Sequence, residues 1–243
     1  MTERQEVLLE QGFVLHRRPY RNSSQLIECM TCTYGRVGLI AQASRRSQSR
    51  QRALLQPFHP LRLSWVRRRE LGRLIDAETA ADRFDVGGEG LFAGFYANEL
   101  ILRLMARDDP NAAVFDCYAK LLTGLAGGGH VSRSLRVFEL DLLGALGYGL
   151  ELDHDVDTGE PLQPERRYIF EIESGPRQVG GHAGASHYSG RELIALGSRT
   201  LADPDSLRAA KRLLRTVLDT YLGDRPLNTR GVLMEIVDSG LGG

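Results

Sequence analysis

Arginine is the residue type in this chain with the clearest chemistry to offer, and it is gathered at one end. Residues 1–75 hold fourteen arginines, no lysine and five acidic residues. The remaining residues reverse that balance, so a net charge of zero hides an excess of nine positive charges at the amino-terminal end. Guanidinium groups donate paired hydrogen bonds to phosphate oxygens, so a cationic end on a neutral chain predicts a polyanion bound by one region. Three separated runs carry the charge. Arg17, Arg18 and Arg21 flank Tyr20, Arg36 follows Gly35, and Arg45, Arg46, Arg50 and Arg52 fall in a stretch rich in Ser and Gln. Phosphates neutralised there would give binding that weakens steeply with salt, with Tyr20 and Tyr34 as surfaces for base stacking. The bland alternative for any one run is a solvated face. Arg67 to Arg69 rank lower, because neighbours on a strand face opposite ways.

Other candidate chemistry is thinner. Cys29-Met30-Thr31-Cys32 has CxxC spacing, but there is no second Cys pair to complete a zinc site, and the run reads as strand, where the two thiols diverge. Asp153-His154-Asp155-Val156-Asp157-Thr158-Gly159 resembles the start of a calcium loop. It fails at the sixth position, Thr158, and the twelfth, Pro164. His182, His187 and His154 obey no metal spacing. No nucleophile elbow, P-loop or dinucleotide fingerprint is present, and Gly127-Gly128-Gly129 reads as a helix break. Neither an enzyme, a metal nor a cofactor is expected.

The elements that position these residues change period near residue 80. Before it come five short β segments: 12–18, 24–34, 37–41, 61–66 and 70–78. The pair Gly35 and Gly38 marks a hairpin, and five strands in so short a span predict a small barrel of the OB type. After it, Leu91, Phe92, Phe95, Tyr96, Leu100 and Leu104 predict a first amphipathic helix, and Val114, Tyr118, Leu121, Leu122 and Leu125 a second. Leu135, Phe138, Leu142, Leu143 and Leu146 predict a third, capped by Ser132 or Ser134. Residues 150–192 read as a hairpin or irregular insert. Asp203-Pro204 opens a last helix, with Leu207, Ala210, Leu214, Val217 and Tyr221 inward and Arg208, Lys211, Arg212 and Arg215 outward. The fold class is α+β, with a barrel at 1–80 and a helical domain at 81–243 interrupted by the insert. No apolar run reaches the roughly 20 residues of a membrane span, and the polar start predicts a cytoplasmic protein. Arg136 is expected beside an apolar surface that includes Tyr118, Leu122, Leu135, Leu142 and Leu143. These are either the core of a helical bundle or an apolar wall with a guanidinium rim, suited to an acidic peptide with an aromatic anchor.

Taken in order, several stretches resemble the RecO family of bacterial recombination mediators. They are Phe13-Val14-Leu15-His16-Arg17-Arg18-Pro19-Tyr20, Gly35-Arg36-Val37, Leu55-Gln56-Pro57-Phe58, Tyr96-Ala97-Asn98-Glu99-Leu100, Leu135-Arg136-Val137-Phe138-Glu139-Leu140 with Leu146-Gly147-Tyr148-Gly149, and Leu207-Arg208-Ala209-Ala210-Lys211-Arg212. The resemblance runs from about residue 7 to about residue 237. It implies an OB domain, a helical domain with an inserted module, and binding of single- and double-stranded DNA. It further implies annealing of complementary strands, and loading of RecA with RecR onto DNA coated by single-stranded-DNA-binding protein (SSB). Some members hold a four-Cys zinc site in the insert. Residues 150–192 contain no Cys, so this chain resembles the zinc-free members. Members often carry Lys-Gly where Gln42-Ala43 stands here. The resemblance places the acidic SSB tail at Tyr118, Leu122, Leu135, Arg136 and Leu142, and a nucleoid-associated role in the cytoplasm. The alternative is a partner-recruiting scaffold with incidental DNA contact. A nuclease, needing carboxylate-bound magnesium, ranks third.

Overall fold

The computed structural model describes residues 4–21, 24–42, 53–179 and 187–229. The chain divides into two compact units, residues 1–128 with 227–243, and residues 129–226.

The first unit is built on five strands, β1 (Gln5–Tyr20), β2 (Ser24–Thr31), β3 (Gly35–Gln42), β4 (Leu61–Arg67) and β5 (Gly72–Thr79). They hydrogen-bond in the order β1-β2-β3-β5-β4, and β4 pairs back on β1, closing the ring. Only β3–β5 is parallel. The closure depends on the length of β1. Its first part pairs with β4 and its second with β2, and irregularities after Val7 and after Val14 let it bend between them. The bend also hides the strand from a period-two reading. Leu8 and Leu9 stand exposed where alternation would bury one of them, so the sequence signal begins only at Gly12. Val14, Ile27, Cys29, Leu39, Leu61, Leu63 and Trp65 fill the barrel, and Tyr34 meets Trp65 edge to face at 5.4 Å.

Gly35 makes the β2–β3 turn with φ of 64°, and a Cβ there would lie 1.8 Å from the Asp109 carbonyl oxygen. Gly38 has a different reason for being glycine. It is an ordinary strand residue opposite Glu28, with Leu71 and the Arg107 guanidinium packed over it. The expectation of two turn glycines is thus corrected to one.

Helices α1 (Gly88–Leu104) and α2 (Ala112–Ala126) complete the unit. Of the residues expected on the buried face of α1, Tyr96 and Leu100 are buried, but Leu91, Phe92 and Leu104 are only half-buried. Phe95 is exposed, while Gly90, Ala93, Gly94 and Ala97 are buried with Leu100 and Ile101. Small residues let the helix approach closely, and the ring of Phe58 fills the space over Gly94. At the centre sits Asn98. Its amide donates to the Leu15 carbonyl at 2.9 Å and accepts from the Tyr118 hydroxyl at 2.6 Å, tying β1, α1 and α2 by two buried bonds. Helix α2 is capped by the Asn111 side chain on the Val114 amide, and buries Val114, Tyr118, Leu121, Leu122 and Leu125 as its spacing predicts. Glu99 holds the returning chain. Its carboxylate accepts from the backbone and side chains of Asn228 and Thr229.

The second unit holds α3 (Val131–Ala145), a small sheet of β6 (Arg167–Glu171), β7 (Gly175–Gln178) and β8 (His187–Ser189), and helices α4 (Gly190–Gly197) and α5 (Pro204–Leu222). Helix α3 begins after His130 with no side-chain cap, so Ser132 and Ser134 lie inside it rather than at its cap. The hairpin expected within 150–192 is β6–β7, with β8 on the other side of β6. Helix α4 begins at Gly190, inside the span read as insert, with a capping box between Ser189 and Glu192. Asp203 caps α5 and Gly223 ends it.

A candidate nucleic-acid interface on the barrel

Paired residues of a sheet share a face, so the strand register sorts the arginines. Arg17 stands opposite Ile27, and Ile27 opposite Leu39, both core residues, so Arg17 lies on the inward row and is half-buried. Arg18 stands opposite Leu26 and Ile40 on the outward row and is exposed. Tyr20 lies two residues further on the same side, and the exposed Arg21 guanidinium sits 5.3 Å from its ring centroid. Arg17 and Arg18 therefore do not share a face. Arg45, Arg46 and Arg50 lie outside the described residues.

Arg36 is not a surface cation. Its guanidinium donates to the Leu102 carbonyl and lies 3.9 Å from Glu28. Burial lowers its pKa, opposed by Glu28. It belongs to a cluster that clips the segment after α1 to the barrel. There Arg107 is hydrogen-bonded to Glu28 and reaches Glu70 at 3.2 Å, and Arg67 meets Asp108 and Gln5. The hydrogen bond to Glu28 chiefly raises the pKa of Arg107, which fixes its charge there.

A second group includes two arginines that sequence reasoning ranked low and two, Arg4 and Arg73, that it did not single out. Arg68 and Arg69 are in the turn between β4 and β5, not on a strand, so the alternation argument against them does not apply. With Arg4 and Arg73 they line a pocket of about 450 Å³ over Val66 and Leu71. All four arginines are exposed. Among the described residues Arg68, Arg69 and Arg73 have no carboxylate within ion-pair distance, and Arg4 has only Glu6 at 3.9 Å. The signal available in the sequence was the turn propensity of Glu70-Leu71-Gly72 after a period-two run.

The other sequence candidates are structural. Cys29 is fully buried, and burial pushes its thiol far above the ordinary value, while Cys32 is raised too, first by burial and then by Glu10. Neither thiol is activated. Asp155 is buried and accepts from the Asp157, Thr158 and Gln178 amides, organising its loop from within. Among the described residues no group of three His, Cys, Asp or Glu is placed to hold a metal. His182 lies outside them. Among the described residues no helix is long and apolar enough to cross a membrane. Tyr118 and Leu122 are buried in the first unit, and Leu135, Arg136 and Leu142 in the second. Arg136 pairs at 2.9 Å with Glu139, which is fully buried.

Two family models cover the chain: "Recombination protein O N terminal" over residues 6–83 and "Recombination protein O C terminal" over residues 88–231. The chain belongs to the RecO family. A DNA repair protein RecO from Nitrosococcus oceani is 45% identical over 231 residues, covering 95% of this chain and 94% of its own. Its counterpart in Methylococcus capsulatus is 42% identical over 224 residues, 92% of each chain. One from Haemophilus influenzae is 40% identical over 222 residues, 91% of this chain and 94% of its own. Within the Tyr96-Ala97-Asn98-Glu99-Leu100 stretch, Asn98 ties β1, α1 and α2 together and Glu99 holds Asn228 and Thr229.

Proposed function

We propose that the chain is a non-enzymatic mediator of DNA repair and recombination that binds single- and double-stranded DNA through its amino-terminal barrel, an OB-type fold. It anneals complementary strands and, with RecR, helps to load RecA onto SSB-coated single strands in the cytoplasm, at the nucleoid. The observation that carries this reading is a set of exposed arginines on the barrel, Arg18, Arg68, Arg69 and Arg73, free of carboxylate partners among the described residues. Membership of the RecO family along nearly the whole chain supports it. Annealing needs no bond to be made or broken. It needs two phosphate backbones brought together, and surface guanidinium groups screen their repulsion. Tyr20 offers a stacking face beside Arg18.

The acidic tail of SSB is assigned to the helices, with Arg136 as the group that meets its carboxylates. Arg136 is buried and already paired with Glu139, so the tail must displace Glu139 to reach that guanidinium.

One experiment tests both parts. Annealing of complementary oligonucleotides is followed with naked and with SSB-coated strands, each with and without a synthetic acidic tail peptide. The expected result is that the chain accelerates both reactions, that added salt slows both, and that the peptide inhibits only the coated one. Failure to accelerate naked strands rejects the DNA reading. Indifference of the coated reaction to the peptide rejects the tail assignment.

A further inference from the structure

Apart from its arginines, the barrel carries a surface feature that its fold does not use. Leu8, Leu9 and Ile75 are the three most exposed large apolar side chains among the described residues, at 68%, 47% and 45%. They gather around one residue of β4. Leu8 and Leu9 of β1 oppose the single residue Ser64, because Val7 pairs with Trp65 and Glu10 with Leu63. On the other side of β4, Asp76 pairs with Ser64 and Leu74 with Trp65, which leaves Ile75 as the extra residue of β5. Two bulges thus flank the same position, and each turns apolar side chains outward. The Leu9 amide donates to the Ser64 hydroxyl at 3.0 Å, which holds the first bulge in place. Leu9 has a φ of 53° there, a left-handed conformation that leucine adopts only at a cost. Strands β1 and β5 each lie one spacing from β4, so the leucines and Ile75 stand about 10 Å apart.

Two outward rows border this centre. Glu6, Val66 and Arg73 form one, and Gln11, Arg62 and Glu78 form the other. Their charged members are exposed and of both signs. A polyanion calls for one sign, whereas an apolar centre within a mixed polar rim is the anatomy of a protein contact. The barrel is a closed ring with no free strand edge, so a partner must meet this face side chain to side chain.

We propose that this face docks a second copy of the chain about a twofold axis running along the Ser64 row. That axis lays Leu8, Leu9 and Ile75 against the same residues of the other copy. It also lays the row of Glu6 and Arg73 over the row of Arg62 and Glu78. Arg73 then meets the partner's Glu78, twice by symmetry, and Arg62 lies diagonal to the partner's Glu6. A twofold along the strands would instead set Arg62 against Arg62, so charge selects the first axis. The face measures about 14 Å by about 20 Å, roughly 300 Å², against about 800 Å² per partner in a stable complex. The dimer is therefore weak and forms where chains are crowded. This goes beyond the DNA-binding reading and does not depend on it. Arg18, Arg68 and Arg69 lie outside the face, and Arg73 alone is common to both surfaces.

The test is sedimentation velocity of the full chain from about 1 to about 200 µM, a range that spans weak association. The sedimentation coefficient is expected to rise with concentration from monomer towards dimer. A variant with Leu8→Asp and Ile75→Asp, both at exposed positions, is expected to stay monomeric throughout, with its thermal unfolding midpoint unchanged. Arg73→Glu is expected to weaken the dimer about tenfold or more, because it sets like charges opposite each other twice. Adding Glu78→Arg to that variant exchanges the two charges and is expected to restore association. The exchange leaves the leucines in place, so it decides the matter even where the double Asp variant fails to fold. An unaltered chain that stays monomeric over the whole range overturns the proposal and leaves the DNA reading as it stands. A dimer that survives the double Asp change is formed by another surface and also overturns it. So does a charge exchange that fails to restore association.

Discussion

Arg67 and Arg68 are neighbours in the sequence and belong to two regions with opposite uses of the same side chain. In the clip around residues 105–109, Arg36, Arg67 and Arg107 face Glu28, Asp108 and Glu70, and their charge is spent on holding the barrel to the segment after α1. At the turn between β4 and β5, Arg68 and Arg69, with Arg73 at the start of β5, face solvent across an apolar floor. The difference teaches that a basic residue is a candidate for an external anion only once its internal partners are known. Here those partners sit as far as 79 residues away along the chain.

The comparison breaks most visibly at Arg107. Replacing it by Leu leaves the poorly exposed Glu28 without its main partner, and stability should fall by about 2–3 kcal/mol in urea unfolding. The salt slope of DNA binding should stay as it was. A variant that unfolds normally but loses slope would move Arg107 into the binding set.

An anionic tie in the same unit sharpens the contrast at smaller cost. Burial opposes the charge on Glu99, but the hydrogen bonds from Thr229 and Asn228 outweigh it and bring its pKa below the ordinary 4.5. A depressed carboxylate adds stability that is fully present above that ordinary value and is lost as pH falls through the lower folded value. Glu99→Gln should therefore cost about 1 kcal/mol near neutral pH, and nothing once the carboxyl is protonated. Thermal melts of the two chains across the acid range should converge at low pH. Parallel curves would show that the carboxylate adds nothing through its charge.

The smallest stability effect belongs to the solvent-facing set. Arg69→Ala should change folding stability by less than about 0.5 kcal/mol while lowering oligo-dT affinity a few-fold. A larger loss of stability would show that the arginine is bound into the fold after all.

Much of the architecture was legible. Five strands, the turn at Gly35, the buried face of α2, and Ala210, Leu214 and Val217 of α5 follow from period, glycine and caps, while Leu207 and Tyr221 of α5 are only half-buried. The helical face of α1 was legible only at Tyr96 and Leu100, because Leu91, Phe92 and Phe95 outweigh Ala93, Gly94 and Ala97 in hydrophobicity, although the small residues are the ones that allow close packing. The short helix α4 hid within a span rich in Gly and His. The site was less legible than the fold. Alternation counted against Arg68 and Arg69 as strand residues, whereas the turn releases them from it. Arg36 looked free because Leu102, whose carbonyl accepts its hydrogen bond, is 66 residues away.

The chain leaves the first unit at residue 128 and re-enters it at residue 227, where Glu99 grips Asn228 and Thr229. The second unit is thus an insertion, tethered at both ends. A single proteolytic nick in the Gly127–Gly129 run leaves the two units joined by a peptide bond, so fragments seen only under denaturing conditions would still travel together. Releasing one unit from the other takes two cuts.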